Sequence, residues 1–332
     1  MFSIEKVSII GAGSWGTAIA NLLSSSGHSV SLYHYNQDFI KELVATRTHP
    51  HLKDIKIHSD INLTFNINDL NQGDYIFLAV PTKSIRSLFD NFTISENLPI
   101  VSLSKGIEKN THLYPSEIVL DATGHADSNI CTLSGPSHAE EVCKGIPTTV
   151  VVAGSNITLN RKIQELLSSS TFRVYSNTDI KGVEVAGAIK NVISIASGIC
   201  IGLGFGDNTI AALITRGLNE IVRLGHIYEA EVSTFYGLAG IGDLSVTAFS
   251  KHSRNRQFGI EIGRGETSLN CIGSADMIVE GYYTVEALND IIIENNLEMP
   301  ISKSVYSILY ENLSPKQAIM NLMSRSLTHE NN

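Results

Sequence analysis

The chain has 332 residues, more than one hydrophobic core usually organises, so two domains are expected. Hydrophobic residues make up 43% and charged residues 17%, the profile of a packed globular enzyme and not of a disordered or repetitive chain. With 24 Lys and Arg against 33 Asp and Glu the formal net charge is −9, which argues against nucleic-acid binding and against adhesion to an anionic membrane, so an anionic substrate must meet a local basic cluster.

In chain order, the apolar run Val7-Ser8-Ile9-Ile10 leads into Gly11-Ala12-Gly13-Ser14-Trp15-Gly16 and then into a helical pattern ending at Gly27. In such a strand, turn and helix the first glycine makes a tight turn, the second admits a pyrophosphate to backbone N–H groups, and the third lets helix pack on strand. A dinucleotide then sits at the helix N-terminus, where free N–H groups and the macrodipole attract its charge. Strand patterns recur at 30–33, 75–80, 100–103, 130–133, 148–153 and 172–175, with helical stretches such as 158–168 between them. This alternation predicts an α/β fold built on a doubly wound, mostly parallel sheet.

After that the pattern turns helical, at 181–203 and 208–229, then through the glycine-rich turn 237–242 into further helices. A boundary is expected near Ser176-Asn177-Thr178-Asp179, where Asp179 can cap the next helix. That divides the chain into a dinucleotide-binding domain over 1–180 and an all-helical substrate domain over 181–332. Ligands of such sheets bind beyond the carboxyl ends of the strands, so a helical domain joined there closes a cleft over the cofactor.

Several residues can carry chemistry. Lys190 lies in a helix of apolar and small residues, where burial lowers a lysine's pKa and prepares it to exchange a proton near neutral pH; the alternative is a snorkelling side chain whose ammonium reaches solvent or a carboxylate. Ser253-Arg254-Asn255 opens a helix and offers a phosphate site, or only a solvated basic helix start. Asp243 follows a glycine turn and either caps the next helix or orients a substrate hydroxyl or Lys190. Lys105 and the turn Ser134-Gly135-Pro136-Ser137 fall at expected strand ends, either as ligand contacts or as ordinary loops.

Other classes lose support. Cys131, Cys143, Cys200 and Cys271 are scattered without CxxC spacing, so neither zinc nor a disulfide framework is expected, and a reducing cytoplasm fits. His49-Pro50-His51 lacks ligand partners and reads as a surface loop, so no metal is expected. No GxSxG elbow or Walker motif appears. The first apolar residues are spent on a strand and not on a signal-like core, and the apolar segment 192–205 is too short to span a bilayer, so no integral membrane segment is expected.

Taken in order, Gly11-Ala12-Gly13-Ser14-Trp15-Gly16-Thr17-Ala18, Ala79-Val80-Pro81-Thr82, Ser104-Lys105-Gly106-Ile107-Glu108, Ser134-Gly135-Pro136-Ser137-His138-Ala139, Ile189-Lys190-Asn191-Val192, Gly237-Leu238-Ala239-Gly240-Ile241-Gly242-Asp243-Leu244 and Ser253-Arg254-Asn255-Arg256 resemble the NAD(P)-dependent sn-glycerol-3-phosphate dehydrogenase family in its bacterial, soluble, biosynthetic form. The resemblance covers nearly the whole chain. It implies a Rossmann-like domain and reversible hydride transfer between a nicotinamide and C2 of dihydroxyacetone phosphate, giving sn-glycerol 3-phosphate for phospholipid synthesis. By that analogy Lys190 exchanges the proton, Lys105 and Asp243 hold and polarise the substrate, Ser253, Arg254 and Asn255 receive its phosphate, and Gly135 and Ser137 line it. Ser14, Trp15, Lys105, Ala139, Arg254, Ile278 and Glu280 carry over as cofactor contacts.

The end of the second expected strand reads Leu32-Tyr33-His34-Tyr35-Asn36, with no carboxylate before Asp38. An Asp or Glu there would bond the ribose 2′-OH of NAD, so its absence, with His34 able to donate to a 2′-phosphate, favours NADPH while tolerating NADH. The family often carries arginine near this place, and this chain does not. Competing readings are a 3-hydroxyacyl or 2-hydroxyacid dehydrogenase, often using histidine, and a non-catalytic dinucleotide sensor. Apolar helices in the second half permit a homodimer.

Overall fold

A computed structural model of the chain describes residues 3–274, 277–327 and 329–330. Eight strands form one sheet: β1 (Lys6–Ile10), β2 (Ser29–Tyr33), β3 (Asn62–Thr64), β4 (Tyr75–Leu78), β5 (Ile100–Ser102), β6 (Ile130–Ser134), β7 (Thr148–Ala153) and β8 (Phe172–Asn177). Around it pack α1 (Ser14–Ser25), α2 (Gln37–Thr46), α3 (Ile85–Phe89), α4 (Pro115–Thr123), α5 (Ala139–Cys143) and α6 (Ile157–Leu167). The spatial order is β3-β2-β1-β4-β5-β6-β7-β8, and every pairing is parallel except β6 with β7. The order reverses beside β1, and there the α1 turn leaves the sheet, which is the ligand position of a doubly wound fold. Strand β3 was not anticipated because its three residues, Asn62-Leu63-Thr64, offer a single buried aliphatic side chain and no alternation to read.

The second half is helical: α7 (Ile180–Gly202), α8 (Asp207–Ile227), α9 (Val232–Phe235), α10 (Asp243–Phe249), α11 (Arg254–Gly263), α12 (Ser268–Gly273), α13 (Glu280–Glu294), α14 (Pro300–Tyr310) and α15 (Pro315–Met323). Helix α7 is its axis. Asp179 caps it by accepting from the Gly182 N–H at 2.8 Å, and the remaining length is mostly apolar and buried on nearly every side, with Glu184 and Lys190 as buried charged exceptions. The apolar segment is therefore longer than 192–205: at 23 residues α7 is the one helix among the described residues long and apolar enough to cross a membrane, but 89% of its apolar window is buried by the helices around it.

The antiparallel β6–β7 pair changes how the halves join. Because β7 and β8 run against the first six strands, Asn177 at the end of β8 lies beside Ala153, and Ala153, the last residue of β7, pairs with Thr132 in the middle of β6 while the earlier Val151 pairs with Ser134 at its end. The chain thus enters the helical half from the amino edge of the main strands, not from the carboxyl edge as expected. Helix α7 then climbs along the sheet, and by Gly187 it meets Ser134 and the Lys105 stem at the carboxyl edge. That climb delivers Lys190, one turn later, to the side of the sheet where ligands bind.

Helix α11 lies against α7 at backbone contact. A Cβ on Gly259 would fall 2.2 Å from the Ile195 carbonyl oxygen and 3.0 Å from Gly198 Cα, so only glycine permits the approach. This seam sets the spacing between Lys190 on one helix and the start of the other. Gly259→Ala must push the helices apart and is expected to destabilise the protein by about 1–3 kcal/mol in urea unfolding; wild-type stability would show that the seam is not tight.

Candidate active site

The glycine turn has the shape its sequence foretells. Gly11 has φ +116, and a Cβ there would lie 2.4 Å from the Ala79 carbonyl oxygen; one on Gly16 would lie 2.0 Å from the Gly11 oxygen. Nothing lies within 4 Å of a Cβ placed on Gly13, which is exposed and leaves the α1 start open to a ligand. Ser14 Oγ is buried without a partner beside the α1 N–H groups, a donor set that fits a pyrophosphate. Trp15 flanks it, half-buried, and α1 packs on α5, which begins at the buried Ala139.

His49 corrects the surface-loop reading of His49-Pro50-His51. It is buried, its Nε2 lies 3.1 Å from the Ala12 carbonyl oxygen, and burial pushes its pKa down to about 4, so a neutral imidazole donates to the glycine turn and braces it. His34 follows β2, half-buried, its ring against Tyr35 and Phe39. The Asn36 N–H donates to His34 Nδ1 at 3.1 Å, which leaves the proton of the neutral ring on Nε2, able to donate.

At the other side of the site a buried carboxylate joins the two halves. Lys190 Nζ lies 2.6 Å from Asp243 Oδ1, and Lys105 Nζ, reaching from the loop after β5 across Gly187, lies 2.6 Å from Asp243 Oδ2. Lys190 also donates to Thr247 Oγ1 at 2.9 Å. Asp243 is the first residue of α10, so Thr247 one turn on shares its face, an i, i+4 spacing visible in the sequence. Lys190 is 7% exposed, so its ammonium does not reach solvent but pairs with a carboxylate inside the core, and the Asp243 side chain is spent on the two ammonium groups and not on a cap.

Burial drives Lys190 down to about 8, against the pull of Asp243, which favours the charged form, and with the push of the Lys105 charge, which disfavours it. For Asp243 burial raises the pKa, but the two lysines outweigh it and hold the carboxyl below its ordinary value. The pair is thus a stable anion beside an ammonium that can lose its proton near physiological pH.

Helix α11 begins beside this cluster. Ser253 caps it, accepting from the Arg256 N–H at 3.2 Å, and its hydroxyl also meets Ser194 Oγ of α7 at 3.0 Å. Asn255 Nδ2 donates to Asn191 Oδ1 at 3.0 Å, and its own Oδ1 accepts from the Gly281 N–H at 2.9 Å. Ser253 and Asn255 therefore spend their side chains on tying α11 to α7 and α13, and what they leave for an anion is the first-turn backbone N–H groups and the exposed Arg254 guanidinium. Arg254 Nη1 donates to the Ile278 carbonyl at 3.2 Å, and Glu280 follows at the start of α13, close to the Gly106 backbone. Burial raises the Glu280 carboxyl to about 7 although Arg254 opposes the rise. On the sheet side Gly135 has φ +132 and Ser137 Oγ donates to its carbonyl at 3.0 Å. Ser194 was not singled out in the sequence; a short polar side chain inside an apolar segment gives no periodic signal. Among the described residues no cluster of three His, Cys, Asp or Glu gathers as a metal site.

A glycine-turn sheet facing a helical half that carries a buried lysine–carboxylate pair and a basic helix start defines a dinucleotide-dependent dehydrogenase architecture. The models for the N-terminus and C-terminus of NAD-dependent glycerol-3-phosphate dehydrogenase match residues 6–160 and 179–320, and the chain belongs to that family. Glycerol-3-phosphate dehydrogenase [NAD(P)+] of Halothermothrix orenii is 43% identical over 98% of this chain and 96% of its own length, and that of Exiguobacterium sp. is 43% identical over 98% and 97%. The crystal structure of glycerol-3-phosphate dehydrogenase from Coxiella burnetii is similar with TM-score 0.92 and 34% identity over 97% of this chain and 99% of that one. The ternary structure of D-mandelate dehydrogenase, at 13% identity and TM-score 0.63, shares the fold alone.

Because Lys190 binds its proton less tightly when folded than when unfolded, the unfolded state holds more protons between about 8 and the ordinary lysine value, and stability rises with pH across that window. Compared with Lys190→Met, wild type is expected to gain on the order of 3 kcal/mol between pH 8 and pH 10.5. Parallel pH–stability curves for the two proteins would contradict the depressed pKa.

Proposed function

We propose that the chain reduces dihydroxyacetone phosphate to sn-glycerol 3-phosphate with NAD(P)H, reversibly, and so feeds glycerophospholipid synthesis. The observation that carries this is Asp243 held between Lys105 of the sheet half and Lys190 of the helical half, 2.6 Å from each. The sheet half, over 1–180, binds the dinucleotide and the helical half, over 181–332, binds the substrate. Gly11, Gly13, Ser14, Trp15 and Gly16 receive the pyrophosphate side, with Lys105, Ala139, Arg254, Ile278 and Glu280 as further cofactor contacts. The bound nicotinamide supplies the hydride. His34 meets a 2′-phosphate with no carboxylate to repel it, which favours NADPH and tolerates NADH.

Lys190, a charged acid below about pH 8, gives its proton to the C2 oxygen as the carbonyl is reduced. Asp243 fixes that ammonium and keeps Lys105 beside the same oxygen, where a second positive charge stabilises the developing alkoxide. The first-turn N–H groups at Ser253-Arg254-Asn255 and the Arg254 guanidinium take the phosphate, with Gly135 and Ser137 lining the substrate from the sheet. Holding the phosphate fixes where C2 sits. In the reverse direction the neutral Lys190 amine accepts the proton, so oxidation gains as pH rises past about 8.

A cytoplasmic location supplies both reduced nicotinamide and the phosphate ester, which supports that reading, and the exposed apolar side chains Met320 and Met323 of α15 support a homodimer contact.

Loss of NADPH absorbance on adding dihydroxyacetone phosphate tests the reaction. Lys190→Ala is expected to lower kcat by at least about a hundredfold, while NADPH still quenches the fluorescence of Trp15, the only tryptophan. No substrate-dependent oxidation by wild type, or wild-type kcat in the variant, would defeat this reading.

A further inference from the structure

The buried Lys190 poses a problem the reaction itself does not solve. Its ammonium is held by Asp243 and Thr247 inside the core, and at 7% exposure it has little direct access to bulk water. Each reduction takes one proton from it, and that proton must be restored before the next turnover.

A pair of histidines stands at the seam of the two halves. His138 ends the Gly135-Pro136-Ser137 turn and precedes α5 on the sheet side. His252 lies just before the Ser253 cap of α11 on the helical side. Their ring centroids are 5.7 Å apart, with the planes at 52°. Next to them Pro136 Cδ lies 3.7 Å from a Cβ placed on Gly242, so the His138 turn packs on the turn that carries Asp243. His138 Nε2 is buried and has no hydrogen-bond partner, an unusual state for a ring nitrogen, while the His252 ring is partly open to solvent.

The groups that act on His138 come from every side of this corner. Burial lowers its pKa, the Lys190 ammonium of α7 lowers it further, Glu140 of its own helix and Asp243 of α10 raise it, and His252 lowers it. The ring thus shares the electrostatic environment of Lys190 and Asp243, which act on it from the helical half.

Resting on the proposed dehydrogenase reaction, we infer that His138 and His252 form a proton relay that recharges Lys190 from solvent across the seam between the halves. In reduction the hydride adds to C2, the carbonyl π pair moves onto oxygen, and that oxygen takes a proton from Lys190 Nζ, leaving a neutral amine. The His138 imidazolium then returns a proton to Nζ and becomes neutral. His252 reprotonates His138 and is itself recharged by water or buffer, so one proton enters from solvent for each hydride transferred. Oxidation runs the same path outward. The unpartnered Nε2 is the relay's free end, and its two members sit one on each half, so the path is complete only when the halves are apposed.

Chemical rescue tests the relay. His138→Ala and His138→Gln are expected to lose about tenfold or more in kcat for NADPH oxidation with dihydroxyacetone phosphate, with KM within about twofold of wild type. Free imidazole should restore His138→Ala kcat in a concentration-dependent way. His252→Ala, nearer solvent, should show a smaller loss that imidazole also repairs. Quenching of Trp15 by NADPH reports that each variant still folds and binds. Wild-type kcat in the His138 variants, or a loss that imidazole leaves untouched while KM rises, would overturn the relay and leave His138 a binding or packing group. Wild type without turnover would instead remove the reaction, and with it the relay, before any variant is compared.

Discussion

One buried carboxylate organises this molecule. Asp243 accepts from Lys105, which hangs from the sheet, and from Lys190, which rides on the central helix, and its two oxygens are therefore the fixed point between the halves. A carboxylate this buried is costly unless its charge is met, and removing one partner would leave charge stranded in low dielectric. The helical half cannot drift from the sheet without breaking that arrangement. Weaker contacts follow the same seam: Lys83 over the Tyr283 ring at 4.0 Å and Lys109 with Glu286 at 2.5 Å, both joining the sheet half to α13.

The rest of the fold serves to bring those groups to one place. The antiparallel β6–β7 pair sends the chain to the far edge of the sheet, so that α7 must climb back and carries Lys190 with it. The glycine seam between α7 and α11 then lets Ser194 and Asn191 reach Ser253 and Asn255, fixing the basic helix start relative to the lysine. The start of α1, with its open Gly13 and unpartnered Ser14, follows the carboxyl end of β1 in the same sheet. The residues around Asp243 come from distant parts of the chain: Lys105 follows β5, Lys190 rides on α7 and Thr247 on α10.

Much of this was legible beforehand, for physical reasons. Seven of the eight strands and the long helices appeared because runs such as Tyr75-Ile76-Phe77-Leu78 and the mostly apolar α7 leave little choice of environment. The glycine turn was readable because steric demands at Gly11 and Gly16 fix residue type. What escaped was nonlocal. The direction of β7 depends on its partner and not on its own residues, and that direction decides which edge of the sheet the helical half grows from. His49 looked like loop because its proline neighbour suggests a turn, yet its hydrogen bond goes to Ala12, 37 residues away. The choice between capping and charge pairing at Asp243 rested on contacts 53 and 138 residues distant, beyond the reach of local pattern.

Burial lowers the proton affinity of Lys190 while Asp243 holds it up, and the pH dependence of reduction measures that balance most directly. Wild-type kcat with dihydroxyacetone phosphate and NADPH should fall above about pH 8, as Lys190 loses its proton. In Asp243→Asn the counter-charge is gone while the Lys105 charge remains, so the residual activity should fall about one unit or more earlier. An alkaline limb at the same pH in both proteins would contradict the account.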